Sequence, residues 1–492
     1  MQTIDYVIFI SYFLILIGIG IYSYTKVKSS ADFYTAGGKL PWWLSGISHH
    51  VSGYSGAVFV AYASIAYTHG FTIYVWWAFT IAVAMIGTII FIAPRWARLR
   101  GKIGIQSPTE YLATRYNVPT QQVMAWSGVV VKLFDVAAKW AALGILLHAF
   151  TGIPMMTGII ISGAVTLLYV TIGGIWADVL NDFASFIIQV AAGVFMFVMV
   201  LIHLGDGISG VSTMWEQLPE ENSSLFNSPY TVGFAAAFLV INFFSYSGGT
   251  WNLATKFISS PSGSEAKKAA FLSAVLYLIW PLILFFPMFA APIFLPGLEN
   301  PEQSYSLMAM ELLPPGLLGL LVASMFANTL TMTASDANTI SSVITRDIFP
   351  LIIKKVKTFN AKKMLLLARI TTFSFIVLTV LIAFQSESFG GVIGLIVSWF
   401  AALLGPISIP MILGLLPLFK HSDSKAAIAS IIGGFLTFIL IKLNVFGSVS
   451  LALEIACPLI SSFIIYVGFS FFSKKKIKPE VENLLNSLNE DD

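Results

Sequence analysis

The chain has 492 residues, of which 57% are hydrophobic and only 10% charged, with 27 lysines and arginines against 24 aspartates and glutamates. A soluble domain carries roughly 25% charged residues, so these proportions exclude a soluble globular fold and place most of the surface in hydrocarbon. The net charge of +3 gives no sign of a nucleic-acid partner, and the lone Cys457 excludes an internal disulfide or a multi-cysteine metal site.

Apolar runs able to cross a bilayer, about 20 residues each, lie near 6–25, 42–68, 72–94, 121–150, 154–174, 179–203, 231–257, 270–294, 314–345, 364–384, 389–418, 426–442 and 449–472, thirteen in all. The first is kept as a membrane helix because the N-terminus lacks the charged region and cleavage site of a secretory signal. Cytoplasmic loops collect lysine and arginine. With thirteen spans one side gathers Lys26, Lys28, Lys39, Arg95, Arg98, Arg100, Lys102, Arg115, Lys256, Lys267, Lys268, the stretch from Arg346 to Arg369, Lys420, Lys425 and Lys474 to Lys478. The other side holds Asp206, Glu216, Glu220, Glu221, Glu299, Glu302 and Glu387, with Lys442 the basic exception. The pattern predicts an all-α, multi-pass protein of the cell (plasma or inner) membrane, N-terminus outside and C-terminus cytoplasmic. A functional monomer in the bilayer is expected. Residues 474–492 read as a polar cytoplasmic tail without a domain of its own.

Two spans are interrupted at their middles. The second carries Ser52-Gly53-Tyr54-Ser55-Gly56 and the seventh Ser245-Tyr246-Ser247-Gly248-Gly249. Small residues at close spacing also serve helix packing, and for either break alone that explanation is as good. Five helices separate the two starts, however, which is the spacing of a five-plus-five inverted repeat whose first helices are unwound at the midplane. Unwound backbone is tolerated in a membrane only where it lines a cavity, an ion or a solute. The pair therefore points to one central transport site.

Ionisable residues inside spans are costly and usually face a partner or a water path. Lys132, Asp135 and Lys139 share one face of the fourth span; a structural ion pair is the slightly favoured reading, and Lys139 is alternatively an anchor for a substrate carboxylate. Asp182 lies in the sixth span, and Asp336 follows Thr331, Thr333 and Ser335 in the ninth, a run of hard oxygen ligands suited to a small cation. Adjacent His49 and His50 point to different sides of a helix, so packing is their default role, with one of them in reach of a substrate. Trp251 and Trp399 sit at depths where they could stack on one. The candidate substrate contacts are His50, Ser52, Gly53, Ser55, Lys139, Tyr246, Ser247, Trp251, Ser398 and Trp399. A membrane-embedded enzyme using His49 and His50 as acid and base is the alternative of another class, but no partner carboxylate and nucleophile accompany them. An ATP-driven pump would need a phosphate-binding Gly-x-x-x-x-Gly-Lys-Ser/Thr loop, and the sequence has none.

Several motifs resemble the sodium:solute symporter family, which includes the proline, pantothenate, sialic-acid and sodium/glucose cotransporters. They are Asp32-Phe33-Tyr34-Thr35-Ala36-Gly37-Gly38 before Pro41-Trp42-Trp43, Ser107-Pro108-Thr109-Glu110-Tyr111 with Arg115-Tyr116-Asn117, Gly173-Gly174 followed by Asp182, Ser264-Glu265-Ala266, and Ile344-Thr345-Arg346-Asp347-Ile348. The resemblance covers nearly the whole chain. It implies the leucine-transporter inverted repeat with one extra helix in front and two behind: a transporter domain over 1–473, divided into 6–25, repeats 42–203 and 231–418, and 426–472. It also implies a main sodium site at Val51, Tyr54, Asn328 and Thr331, with Met332, a poor sodium ligand, where the family has a second hydroxyl. A deeper second sodium would use Asp182 and hydroxyls near Ser335, so one sodium ion is implied and there is a position for another. Ala57, Val58 and Trp77 replace the sugar-contacting residues of the glucose branch, while Tyr246 keeps its aromatic gate. The expected function is sodium-coupled symport of a small polar solute, first a sugar or sugar acid such as sialic acid, next an amino acid or carboxylate.

Overall fold

The computed structural model describes residues 1–205, 207–386, 392, 402–473 and 476–490. The regular elements among them are helices, joined by short loops and one isolated bridge between Asn227 and Tyr230. In hydrocarbon each backbone N–H and C=O must be satisfied within its own segment, and a helix does this. Nine helices among the described residues are long and apolar enough to cross a membrane. The predicted runs at 121–150 and 154–174 form a further pair, Val118–Thr151 and Met155–Leu168, bent by 115°. The 42–68 run falls outside this set because it is interrupted; of the 389–418 run, 392 and 402–418 are described, with Ala402–Leu413 helical.

Both interruptions are present. The second span is helical over Trp42–Val51, leaves the helix at Ser52 to Ser55 and resumes towards Val58–Tyr62 and Ala63–His69. The seventh runs from Val232 to Phe244, opens into a widened turn over Ser245–Gly249 with Gly248 at φ +115°, passes Trp251 at φ +64° and resumes as Asn252–Ile258. The fifth and sixth spans meet at Gly174 (φ +55°), where an added Cβ would lie 2.6 Å from the ring and the carbonyl oxygen of Phe33. Only glycine allows that turn and that approach.

The first helix, Thr3–Tyr24, packs on the Met155–Leu204 and Leu317–Val343 helices, and Asp5 accepts the backbone N–H groups of Gly316 and Gly319 at 2.7 and 2.8 Å. It thereby caps an otherwise unsatisfied helix start. The last two spans, Ser424–Lys442 and Leu451–Phe472, pack on each other and on Ala402–Leu413.

Two features differ from the sequence reading. The tail is not merely a polar extension: Pro479–Ser487 is an amphipathic helix burying Val481, Leu484 and Leu485, tied down by Arg98 donating to the Leu488 carbonyl at 2.9 Å. Lys256, counted above with the cytoplasmic-side charges at the end of the 231–257 run, belongs to the resumed half of the seventh span and is fully buried.

Candidate substrate and cation site

The two breaks enclose a cavity of about 90 Å³ lined by Ser52, Gly53, Ser55, Tyr62, Trp77, Lys132, Asp135, Lys139, Ser245, Tyr246, Thr250, Asn252 and Met332. Its aromatic lining is Tyr62, Trp77 and Tyr246. Behind them Tyr277 stacks on Tyr54 with centroids 5.9 Å apart and meets Tyr246 and His50 edge-on at 5.2 and 4.5 Å. The Tyr277 hydroxyl donates to the His50 carbonyl at 2.8 Å, an acceptor near the end of the first half-helix. An added Cβ on Gly53 would sit 1.8 Å from that hydroxyl, so the break can close on Tyr277 only because residue 53 is glycine.

Polar side chains buried without a partner are expensive, and several lie at the breaks. Among the described residues Ser52 Oγ and both amide atoms of Asn252 have no hydrogen-bond partner, and both residues line the cavity. The ring nitrogens of His50 are also unpartnered, although His50 does not line it. His49 is spent on structure: Nδ1 bonds Ser273 Oγ at 2.7 Å and Nε2 bonds the Tyr246 carbonyl at 3.2 Å, tying one break to the other.

Of the expected substrate contacts, Ser52, Gly53, Ser55, Lys139 and Tyr246 reach the cavity. Ser247 does not, because its hydroxyl bonds Thr88 and its carbonyl accepts Trp96 Nε1, both at 2.8 Å on the far side of the turn. Trp251 is also turned away, packed on Gly128 in a separate small void with Leu404 and Ile407. Ser398 and Trp399 lie outside the described residues. Asn252, Tyr62 and Thr250 were not anticipated.

Around the expected main sodium ligands, the Val51 carbonyl accepts Tyr54 N–H at 2.9 Å and the Thr331 hydroxyl donates to the Asn328 carbonyl at 3.2 Å. Gly56 N–H donates to Thr329 Oγ1 at 2.5 Å, joining the first break to the ninth span. Met332 faces the cavity beside Ser52.

Two ionic clusters flank these elements. Lys132 Nζ bonds Asp135 and Asp336 at 2.7 and 2.6 Å, and Lys139 Nζ bonds the same two aspartates at 2.9 and 2.5 Å. Asp336 is thus the cross-helix partner of both lysines. The second cluster joins Lys256 to Asp178 and, at 3.3 Å, to Asp182, whose Oδ2 also accepts Ser48 Oγ at 2.5 Å. Among the described residues Asp178 Oδ1 and Asp182 Oδ1 are buried there without a hydrogen-bond partner, and Ser335 lies beside Asp178. With both carboxylates ionised, two negative charges face one ammonium and the cluster is one positive charge short.

A family model described as the sodium:solute symporter family matches residues 33–434. The chain belongs to this family. It is 24% identical to the sodium/sialic acid symporter NanT of Aliivibrio fischeri over 70% of each chain. Identity to the sodium/glucose cotransporter of Vibrio parahaemolyticus is 26%, over 71% of this chain and 69% of that one. For the sodium/sialic acid symporter SiaT of Proteus mirabilis it is 25%, over 70% and 71%. In fold, the symporter superposes with a TM-score of 0.84 on the outward-open, substrate-bound state of a Na+-coupled sialic acid symporter, at 21% identity over 97% of this chain and all of that one. The nucleobase-cation symporter MHP1 follows with a TM-score of 0.58 at 15% identity, over 94% and 99%. The expected fold, an all-α inverted-repeat transporter of the leucine-transporter type, is the one found, and the protein is a sodium-coupled solute symporter of the membrane.

Proposed function

We propose that this symporter imports a sugar or sugar acid such as sialic acid, held between the two breaks by Ser52, Ser55, Tyr246 and Asn252. The observation that carries the reading is the set of unpartnered donors and acceptors on Ser52 and Asn252 in an aromatic-lined cavity, since hydroxyl-rich solutes supply matching groups. Sialic-acid and glucose symporters among the relatives support the same class. The two repeats span 42–203 and 231–418, the N-terminus is outside, the C-terminus is cytoplasmic, and one chain in the plasma or inner membrane suffices. The chain carries solute without catalysing a reaction on it, and nucleic acid plays no part.

Sodium enters from outside and binds among the oxygens of Val51, Tyr54, Asn328 and Thr331, fixing the unwound segment in the form that receives solute. A second sodium binds Asp182 and Ser335. Tyr246 lines the cavity and packs edge-on against Tyr277, which stacks on Tyr54, and alternating access follows from opening these rings to one side at a time. Each sodium charge crossing 100 mV contributes about 2.3 kcal/mol, enough for about fiftyfold accumulation.

A zwitterionic amino acid is the second reading, favoured by the two ammonium and two carboxylate groups near one cavity wall. Thermal unfolding of the purified protein against sugars, sialic acids and amino acids, with and without sodium, separates the two, because ligands of the folded state raise its stability. Sugar or sialic-acid protection that requires sodium is expected; protection by amino acids alone would replace the first reading with the second.

A further inference from the structure

On the lysine-rich face a cavity of about 250 Å³ is enclosed by three segments distant in sequence: Arg115 and its neighbour, the loop 420–424, and the tail from Lys476 to Val481. Its charged lining is Arg115, Lys420, Lys476 and Lys478 against Asp423 alone. Asp423 is already engaged as the cap of Ser424–Lys442, its Oδ1 accepting the N–H groups of Lys425 and Ala426 at 2.9 and 3.1 Å. Arg115 donates to the carbonyls of Gly414, Phe419 and Ser422 at 2.8, 2.6 and 3.0 Å, which fix the guanidinium without neutralising it. The three lysines have no carboxylate partner among the described residues, and His421 Nδ1 is buried without a hydrogen-bond partner. A concave site with excess positive charge and an unspent polar atom matches a group with several anionic oxygens.

Depth selects the source of that group. The last span, Leu451–Phe472, ends four positions before Lys476, and Phe471 and Phe472 are 75% and 87% exposed there, as aromatic residues at a membrane interface are. The cavity therefore opens at headgroup level, where basic pockets meet anionic lipid. We propose that it binds the phosphate of an anionic phospholipid and so clamps the tail helix Pro479–Ser487 against the transporter core.

The test uses the full chain in neutral detergent, wild type beside the triple variant K420Q/K476Q/K478Q, with phosphatidylglycerol, phosphatidylcholine or inorganic phosphate added. Native mass spectrometry counts retained lipid and thermal unfolding reports protection. Wild type should retain phosphatidylglycerol and unfold at higher temperature with it, and the triple variant should bind it about a hundredfold more weakly, three lysines each contributing about a factor of five. Protection by inorganic phosphate alone, lost in the variant, would support the phosphate site while replacing the lipid with a soluble donor. Equal protection by phosphatidylcholine, or unchanged phosphatidylglycerol binding in the variant, would overturn the proposal.

Discussion

The two buried ionic clusters make opposite use of the same residue types. Lys132, Lys139, Asp135 and Asp336 form four ammonium–carboxylate contacts with charge balanced, joining the fourth span to the ninth. Asp178, Asp182 and Lys256 are one positive charge short and leave two carboxylate oxygens unpartnered. A balanced buried network is a clasp, costly to break because any single deletion strands a charge. An unbalanced one leaves room for a further positive charge, the role proposed above for the second sodium.

Breaking the clasp should have the largest effect. Asp336→Asn leaves two buried lysines sharing one carboxylate and should cost about 3–5 kcal/mol, read as a large fall in thermal unfolding temperature; an unchanged midpoint would show that the lysines already have other compensation. Next comes the cavity between the clusters, where Asn252→Ala should cost about 1–3 kcal/mol of solute affinity, seen as a rise in the KM of uptake with the unfolding temperature held. Asp182→Asn should contrast with Asp336→Asn, because it leaves one aspartate on one lysine. Stability should hold while the sodium concentration for half-maximal uptake rises about tenfold, one lost charge-assisted ligand being worth about 1.5–3 kcal/mol. Equal destabilisation by both substitutions would erase the distinction between clasp and cation site. The smallest shift is expected for Thr331→Ala, about fivefold in the same sodium concentration, for the loss of one neutral ligand worth about 1 kcal/mol; no shift would remove Thr331 from the site.

The helical class and the two broken spans were legible in the sequence because both are local signals: hydropathy over about 20 residues, and glycine and serine where lipid would exclude them. Ser52, Gly53, Ser55 and Tyr246 followed from the same signal and do line the cavity. Direction was not legible. Ser247 and Tyr246 are neighbours, yet the widened turn sends one hydroxyl to Thr88 and the other ring to the cavity. Periodicity along the fourth span placed Lys132, Asp135 and Lys139 on one face but could not supply Asp336 from nearly 200 residues further on. Lys256 was counted with the cytoplasmic-side charges because it stands at the end of the 231–257 run, and hydropathy could not show that it turns inward to Asp178 and Asp182. Asn252 gave no signal at all, being one polar residue at the start of that half-helix.

The coupling proposed above joins a solute held between the two breaks to a sodium ion bound between the first break and the ninth span. It is tested most directly by uptake of radiolabelled sialic acid, or of whichever solute gives sodium-dependent protection, into proteoliposomes carrying the purified protein. An inward sodium gradient should drive accumulation above equilibrium, potassium in its place should not, and Asn252→Ala should weaken it without loss of protein from the membrane. Accumulation indifferent to sodium, or to that substitution, would contradict the account.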